Sequence, residues 1–391
     1  MSTNKEFDIV VYGASGFTGR LVAEYLVKQY KDDNSFTWAM AGRSADKLAQ
    51  VRDEIGAPTD TPLVVADAED AKSMQAMLDR TRLILTTVGP YQLYGSELVA
   101  MCAQSGVDYV DLCGEPVWMR LMIDANEAAA KESGARIVFS CGFDSIPFDL
   151  GVYQLQQLAK EKFGHTFNRV KGRVKKMQGT FSGGTAASLK ATLAAAKQDP
   201  KQFQLLLNPF ALTPGFAGTE QPLGNKPYFE ESLNTWVTPF IMAAINTRNV
   251  HRSNFLLEHQ YGNDFVYDEM LMTGPGEKGE AIANAVANDK GMMKDGGPKP
   301  GEGPSKEERE NGFYEVLFVG NDQEGQNLTV SVSATLDPGY GSTSRMITEA
   351  ALCLIKDATD TAGGILTPAS AMGDKLITRL VDNAGLTFKQ V

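Results

Sequence analysis

The feature that most constrains the fold lies within the first thirty residues. Phe7 to Tyr12, FDIVVY, is a short β-rich apolar run. GASGFTGR follows, and then LVAEYLVKQY carries Leu21, Val22, Tyr25 and Leu26 at helical spacing. Gly13, Gly16 and Gly19 therefore stand between a strand and a helix, spaced GxxGxxG. Glycine at such a turn lets backbone N–H groups approach a pyrophosphate, and the positive end of the helix dipole faces it. With Ser15, Phe17 and Thr18 these glycines form a candidate dinucleotide-phosphate loop.

The alternation continues. FTWAMAG (36–42), LVVA (63–66), LILTTV (83–88), YVDLCG (109–114) and RIVFSCG (136–142) read as strands. Between them lie helical segments: SADKLAQVRDEIG with Ser44 as N-cap, AEDAKSMQAMLDR (68–80), SELVAMCAQSG (96–106) and a helix through IDANEAAAKESG. Strands separated by helices predict βαβ crossovers, hence a Rossmann-type doubly wound parallel sheet over residues 1–150.

The end of the second strand sets the cofactor subtype. A site for NAD places Asp or Glu there to hold the ribose 2′-OH. This chain has Ala41-Gly42-Arg43-Ser44, with Lys47 one turn further on. A guanidinium and a hydroxyl suit a 2′-phosphate, so NADP(H) is predicted. Asp67, after the third strand, either accepts from the adenine amino group or caps the next helix. Carboxyl ends of parallel strands border the ligand crevice. Val88, Gly89 and Pro90 should therefore run along the cofactor, and Tyr91 and Tyr94 either face the crevice or pack a loop. Cys113 and Glu115 in CGEP, and Asp144 and Ser145 in CGFDSIP, end the next two strands on that edge and are substrate-site candidates by position.

Composition excludes other classes. Lys and Arg number 37 against 48 Asp and Glu, a net charge of -11, which disfavours nucleic acid as a partner. Cys102, Cys113, Cys141 and Cys353 are far apart without a CxxC, and the three histidines form no metal-ligating pattern, so no metal is expected. No GxSxG elbow supports serine-hydrolase chemistry. No apolar run approaches the ~20 residues that span a bilayer. The N-terminus reads as the first strand rather than a signal peptide, so a cytoplasmic protein is expected.

The second half reads as an α+β domain (151–341) on a mainly antiparallel sheet. PFDLGVYQLQQLAKEKFG is an amphipathic helix leading out of the first unit. A strand from residue 168 carries Arg169, Lys171, Arg173 and Lys175 on one face, with Lys176 on the other. A like-charged row asks for a reason: either a solvated face with acidic neighbours or a docking surface for an acidic partner. Ser182, Gly183 and Gly184 open an Ala-rich helix whose free N–H groups could hold an anion or carbonyl oxygen. Six prolines break residues 200–250 into short pieces around an apolar cavity or a surface patch. FVYDEMLMTG (265–274) is a strand, and FYEVLFVG and NLTVSVSATL form a hairpin. On the second of these Leu328, Val330, Val332 and Ala334 alternate with hydroxyls that border solvent, a pocket or a dimer partner. Ser305 and Glu308 form a capping-box pattern in a polar Gly/Pro-rich loop. Residues 342–391 are expected as a helical segment returning to the Rossmann unit.

Together GASGFTG, AGRS, VGPYQLYG, DLCGEP and CGFDSIPFDLG resemble the saccharopine dehydrogenase-like oxidoreductases, nearest to the trans-acting enoyl reductase branch. The resemblance continues through SGGTAASL (182–189), residues 298–320 and GGILTPASAMGDKL (363–376). It implies an NADP-binding Rossmann domain, a second α+β domain, and an acyl carrier domain as a partner that would dock on the basic strand. The residues themselves support an NADPH-dependent reductase of an enoyl or carbonyl group, because the apolar 200–250 region favours a lipid-like acyl substrate. Tyr91, Tyr94 and Lys176 are the candidate proton donors or carbonyl-polarising groups. A non-catalytic NADP(H)-binding sensor or scaffold is the alternative. A homodimer, and peripheral membrane contact through residues 200–250, stay open.

Overall fold

The computed structural model describes residues 5–179, 188, 191–192, 199–289 and 302–391. Ser182, Gly183 and Gly184, and most of the polar loop before Ser305, lie outside these residues. The described chain builds two seven-stranded sheets.

The first sheet comes from β1 (Phe7–Tyr12), β2 (Trp38–Gly42), β3 (Leu63–Val65), β4 (Thr81–Thr86), β5 (Asp108–Val110), β6 (Arg136–Val138) and β13 (Gly364–Leu366). Its order is β13-β6-β5-β4-β1-β2-β3, and every pairing is parallel. The order 3-2-1-4-5-6 is that of a Rossmann fold, with its switch point between β1 and β4. The helices α1 (Phe17–Gln29), α2 (Ala45–Glu54), α3 (Ala71–Arg80), α4 (Tyr91–Tyr94), α5 (Ser96–Ser105) and α6 (Pro116–Ser133) connect these strands. β1 is buried almost throughout, which explains its unbroken apolar run.

Several boundaries differ from the sequence reading. β4 runs Thr81–Thr86, so Val88 has left the strand. β5 and β6 are three residues each, shorter than YVDLCG and RIVFSCG suggest. The cause is Asp111: its Oδ1 accepts the N–H groups of Cys113 and Ser140, both at 2.9 Å. These bonds replace ladder hydrogen bonds and turn both strand ends into loops. α6 begins at Pro116, a favourable first helical position, rather than near Ile123.

α7 (Ile146–Phe163) leads into the second sheet. That sheet holds β7 (Arg169–Gln178), β8 (Tyr228–Glu230), β9 (Thr235–Pro239), β10 (Val266–Gly274), β11 (Phe313–Asn321), β12 (Asn327–Ala334) and β14 (Thr387–Gln390). Its order is β14-β12-β11-β7-β10-β9-β8. Only β7–β10 is parallel; the other pairs are antiparallel. The helices of this half are α8 (Pro200–Leu207), α9 (Ala243–Leu256), α10 (Gly276–Asn288) and α11 (Lys306–Glu310). α11 starts with the Ser305/Glu308 capping box. Phe148 of α7 packs on Phe143, Phe240 and Phe318, with centroids 5.3–6.3 Å apart, and so joins the two sheets through one aromatic cluster.

The segment after residue 341 is not wholly helical. α12 (Thr343–Lys356) and α13 (Pro368–Arg379) are joined by β13 and followed by β14, so this segment adds an edge strand to each sheet. The β12 hydroxyls meet the same chain: Ser333 Oγ lies 2.8 Å from Thr387 Oγ1 of β14, and Ser331 donates to Glu315 at 3.3 Å. No described helix is long and apolar enough to cross a membrane.

The basic strand is neutralised inside the sheet. Arg173 is fully buried and pairs with Glu230 at 2.6 Å and Asp268 at 2.9 Å. Lys171 pairs with Glu230 at 2.5 Å, and Arg169 pairs with Asp268. A register shift opposite Glu315 breaks the alternation, so Lys175 and Lys176 both reach that carboxylate, at 3.0 and 3.4 Å. Arg169, Lys171 and Arg173 thus form an internal ion network, whereas Lys175 and Lys176 are half-exposed.

Candidate active site

One cleft of about 650 Å³ opens at the carboxyl ends of the parallel strands and extends to the second sheet. Ser15, Gly16, Phe17 and Thr18 line one end of it. Gly13 has φ +91°, a conformation that disfavours a side chain, and its N–H donates to Ala41 O at 2.9 Å. Gly16 N–H returns to Gly13 O at 2.9 Å. A Cβ on Gly19 would sit 2.2 Å from Gly13 O, so only glycine allows α1 to start this close to the turn. α1 has no side-chain cap and no acid in its first turn, which leaves its leading N–H groups to an anion.

Arg43 lines the cleft beside this turn, and no ion pair to it occurs among the described residues. Its charge is therefore available to a 2′-phosphate. Ser44 and Lys47 are not in the lining; Ser44 Oγ caps α2 by accepting the Lys47 N–H at 3.3 Å. Asp67 lines the cleft, and the cap of α3 is Asp70 instead, whose carboxylate accepts the Lys72 N–H at 3.0 Å. Val88 and Gly89 line the wall, whereas Pro90 does not.

The three candidate proton donors are not gathered. Tyr91 is buried, with its ring in the cleft wall. Its hydroxyl accepts the Leu112 N–H at 3.0 Å and donates to Thr86 O at 3.4 Å, bracing the ends of β4 and β5. Burial, then the nearby Asp111, pushes this phenol well above its usual range. Tyr94 lines the cleft and is exposed. Lys176 lies outside the lining: the shift opposite Glu315 holds it there, with Nζ 5.8 Å from the Phe313 ring.

Of the four strand-end candidates only Asp144 lines the cleft. Glu115 is buried, and its carboxylate accepts the N–H groups of Tyr91 and Gln92, both at 2.9 Å, and the Ser188 hydroxyl at 2.7 Å. It caps α4 across 24 residues of sequence. Cys113 is buried, and burial pushes its thiol well up. Ser145 Oγ accepts from Asn249 Nδ2 of α9 at 2.8 Å. Asp144 Oδ1 is buried without a hydrogen-bond partner, and burial pushes the carboxyl up to about 7.

With this geometry, residues 9–138 match the family model of the saccharopine dehydrogenase NADP binding domain. A Mycobacterium tuberculosis protein is 40% identical over 97% of this chain and 96% of its own length. The trans-acting enoyl reductase of Mycobacterium ulcerans is 36% identical over 97% of this chain and 96% of its own length. The chain belongs to the saccharopine dehydrogenase-like oxidoreductases, in the trans-acting enoyl reductase branch. Saccharopine dehydrogenase (L-Glu forming) of Saccharomyces cerevisiae shares its fold, with a TM-score of 0.55 at 11% identity over 98% of this chain and 100% of that one. The cofactor of this family's Rossmann domain is NADP(H), and the Gly19 cradle and the unpaired Arg43 fit it.

The remaining wall of this oxidoreductase comes from the second half. Met177, Leu206, Ile241, Met242, Ala244 and Ile245 make it apolar. Of the two readings of the 200–250 segment, apolar cavity or surface patch, the lining residues Leu206, Ile241, Met242, Ala244 and Ile245 match the cavity; the contribution of the C-terminal segment was missed. Pro338, Gly339, Tyr340 and Thr343 line the cleft as well. Tyr340 meets Phe17 edge-on at 5.1 Å, and Thr343 Oγ1 accepts the Phe143 N–H at 2.9 Å. The available signal was DPGYG, where Asp337 accepts the Tyr340 and Gly341 N–H groups at 2.9 and 2.7 Å.

Proposed function

We propose that this protein is an NADPH-dependent reductase of an enoyl or carbonyl group on an apolar acyl substrate. One observation carries the reading. The dinucleotide turn and Arg43 share a single cleft with the apolar wall of Leu206, Ile241, Met242 and Ile245. Burying an acyl chain there gains about 0.8 kcal/mol per methylene. A dicarboxylic substrate would instead need paired cations, and Arg169, Lys171 and Arg173 are committed to Glu230 and Asp268. Relatives named trans-acting enoyl reductase support the enoyl group as the reacting one. NADPH supplies the hydride when bound; the chain orients the substrate, excludes water and delivers a proton.

The test is NADPH oxidation with trans-2-enoyl thioesters of increasing chain length, on wild type and Met242→Glu. The expected result is turnover that improves with chain length and an advantage for long chains that Met242→Glu removes. Tight NADPH binding without oxidation across enoyl and carbonyl acceptors would favour the sensor reading instead.

A further inference from the structure

The cleft contains one reactive group that this reading leaves without a task. Asp144 follows β6 and lines the cleft, on the same strand-end edge as Val88 and Gly89. Its Oδ1 is buried and meets no donor among the described residues. A buried carboxylate without partners is strongly disfavoured, so such a group keeps its proton. The Glu269 carboxyl of β10 is raised by burial and then by the nearby Asp144 and Asp268. Glu269 is itself fixed: Asn246 Nδ2 donates to one oxygen and Tyr267 OH to the other, both at 2.9 Å. The next residue, Ser145, is tied to Asn249, so the loop bearing Asp144 is anchored to α9. Burial pushes Asp144 up to about 7 and Glu269 up to about 8. An anchored loop thus presents to the cleft a carboxyl whose protonated form burial favours and whose Oδ1 has no hydrogen-bond partner among the described residues.

Resting on the reductase reading, we propose that Asp144 is the proton donor of the reduction. In an enoyl thioester the hydride from NADPH forms the C–H bond at the β-carbon as the C=C π bond breaks. The electron pair moves toward the α-carbon and the thioester oxygen. Asp144 then gives up its O–H proton as the α C–H bond forms. The resulting carboxylate recovers a proton from water, so each turnover consumes one NADPH and one solvent proton.

The experiment compares wild type, Asp144→Asn and Asp144→Glu, all loaded with NADPH. With trans-2-dodecenoyl-CoA as probe, Asp144→Asn should lose on the order of 100-fold or more in kcat while its NADPH Kd stays near wild type. Asp144→Glu should recover part of the rate, and the solvent deuterium isotope effect of wild type should shrink in Asp144→Asn. A second readout needs no substrate. The infrared difference between wild type and Asp144→Asn at about pH 6 should show the carbonyl band of a protonated carboxyl, shifting in D₂O. Absence of that band overturns the proton-donor assignment, whatever the turnover. Wild-type kcat in Asp144→Asn overturns it too and leaves the reductase reading standing. If wild type carries the band but oxidises no NADPH with the thioester, the reductase reading falls and the donor role falls with it. Should Asp144→Asn fail to bind NADPH, Asp144→Ser replaces it in both measurements.

Discussion

Arg43 reaches the cleft and forms no ion pair among the described residues, which leaves its charge to a ligand phosphate. A charge-assisted bond contributes about 1.5–3 kcal/mol, which is roughly 10- to 150-fold in affinity. Arg43→Asp should therefore weaken NADPH binding by at least that factor and leave NADH binding nearly unchanged, as read by fluorescence titration. Equal NADPH affinity in the variant would remove Arg43 from the site. Titration offers a second test at this scale. Burial holds Asp144 and Asp149 up at about 7 and Glu269 at about 8. These groups keep protons in the fold where the unfolded chain, with values of about 4, has lost them. The folded state then binds more protons than the unfolded one, so stability falls as pH rises through that window and levels off above it. Tm should decline from about pH 5 to about pH 8, and Asp144→Asn should flatten the decline. A Tm that climbs over this range contradicts the assignment. The glycine turn and Arg43 were legible because each stands just after a strand whose short apolar run marks it in the sequence. The burial of Asp144 was not, because the cleft around it is closed by residues far along the chain, Met242 and Ile245 among them. Glu115, a substrate-site candidate by its position, is a helix cap, which depends on Tyr91 and Gln92 more than twenty residues away.

At the scale of elements, β7 shows how a charge pattern misleads without its sheet neighbours. Alternating cations suggested a row on one surface; β8 and β10 supply Glu230 and Asp268 to the same row. Removing one partner of such a buried network leaves the others uncompensated and costs about 3–5 kcal/mol. Arg173→Met should destabilise by that amount in urea unfolding, because it removes the fully buried cation that bridges Glu230 and Asp268 and leaves them only Lys171 and Arg169. Lys176→Met should change stability by less than about 1 kcal/mol, since that pair is half exposed. Similar losses for both would contradict the buried network. β5 and β6 teach a related lesson. Their apolar runs continue past the strand ends, yet the Asp111 carboxylate takes the N–H groups the ladder would have used. That exchange frees the two loops that carry Glu115 and Asp144.

Across the whole molecule, the last fifty residues bind the halves together. Glu349 of α12 accepts from Tyr25 at 2.8 Å and Tyr30 at 2.6 Å, and pairs with Arg379 of α13 at 2.9 Å. β13 edges the first sheet, and β14 edges the second. Deleting residues 362–391 should thus loosen both sheets at once, seen as faster hydrogen exchange in β6 and β12 together and loss of NADPH binding. A truncated chain that binds NADPH normally would show that the Rossmann unit stands alone. The doubly wound half was readable from its alternation of short-range patterns. The closing strands were not, because three- and four-residue edges carry almost no periodicity. The central claim is hydride transfer within this one cleft, and a single-turnover experiment tests it most directly. Enzyme loaded with NADPH deuterated at the nicotinamide C4 is mixed with a trans-2-dodecenoyl thioester, and the product is analysed by mass spectrometry and NMR. The account predicts the saturated thioester, with one deuterium at the β-carbon from one face of the cofactor and one solvent hydrogen at the α-carbon. Unchanged thioester beside fully retained deuterated NADPH would contradict it.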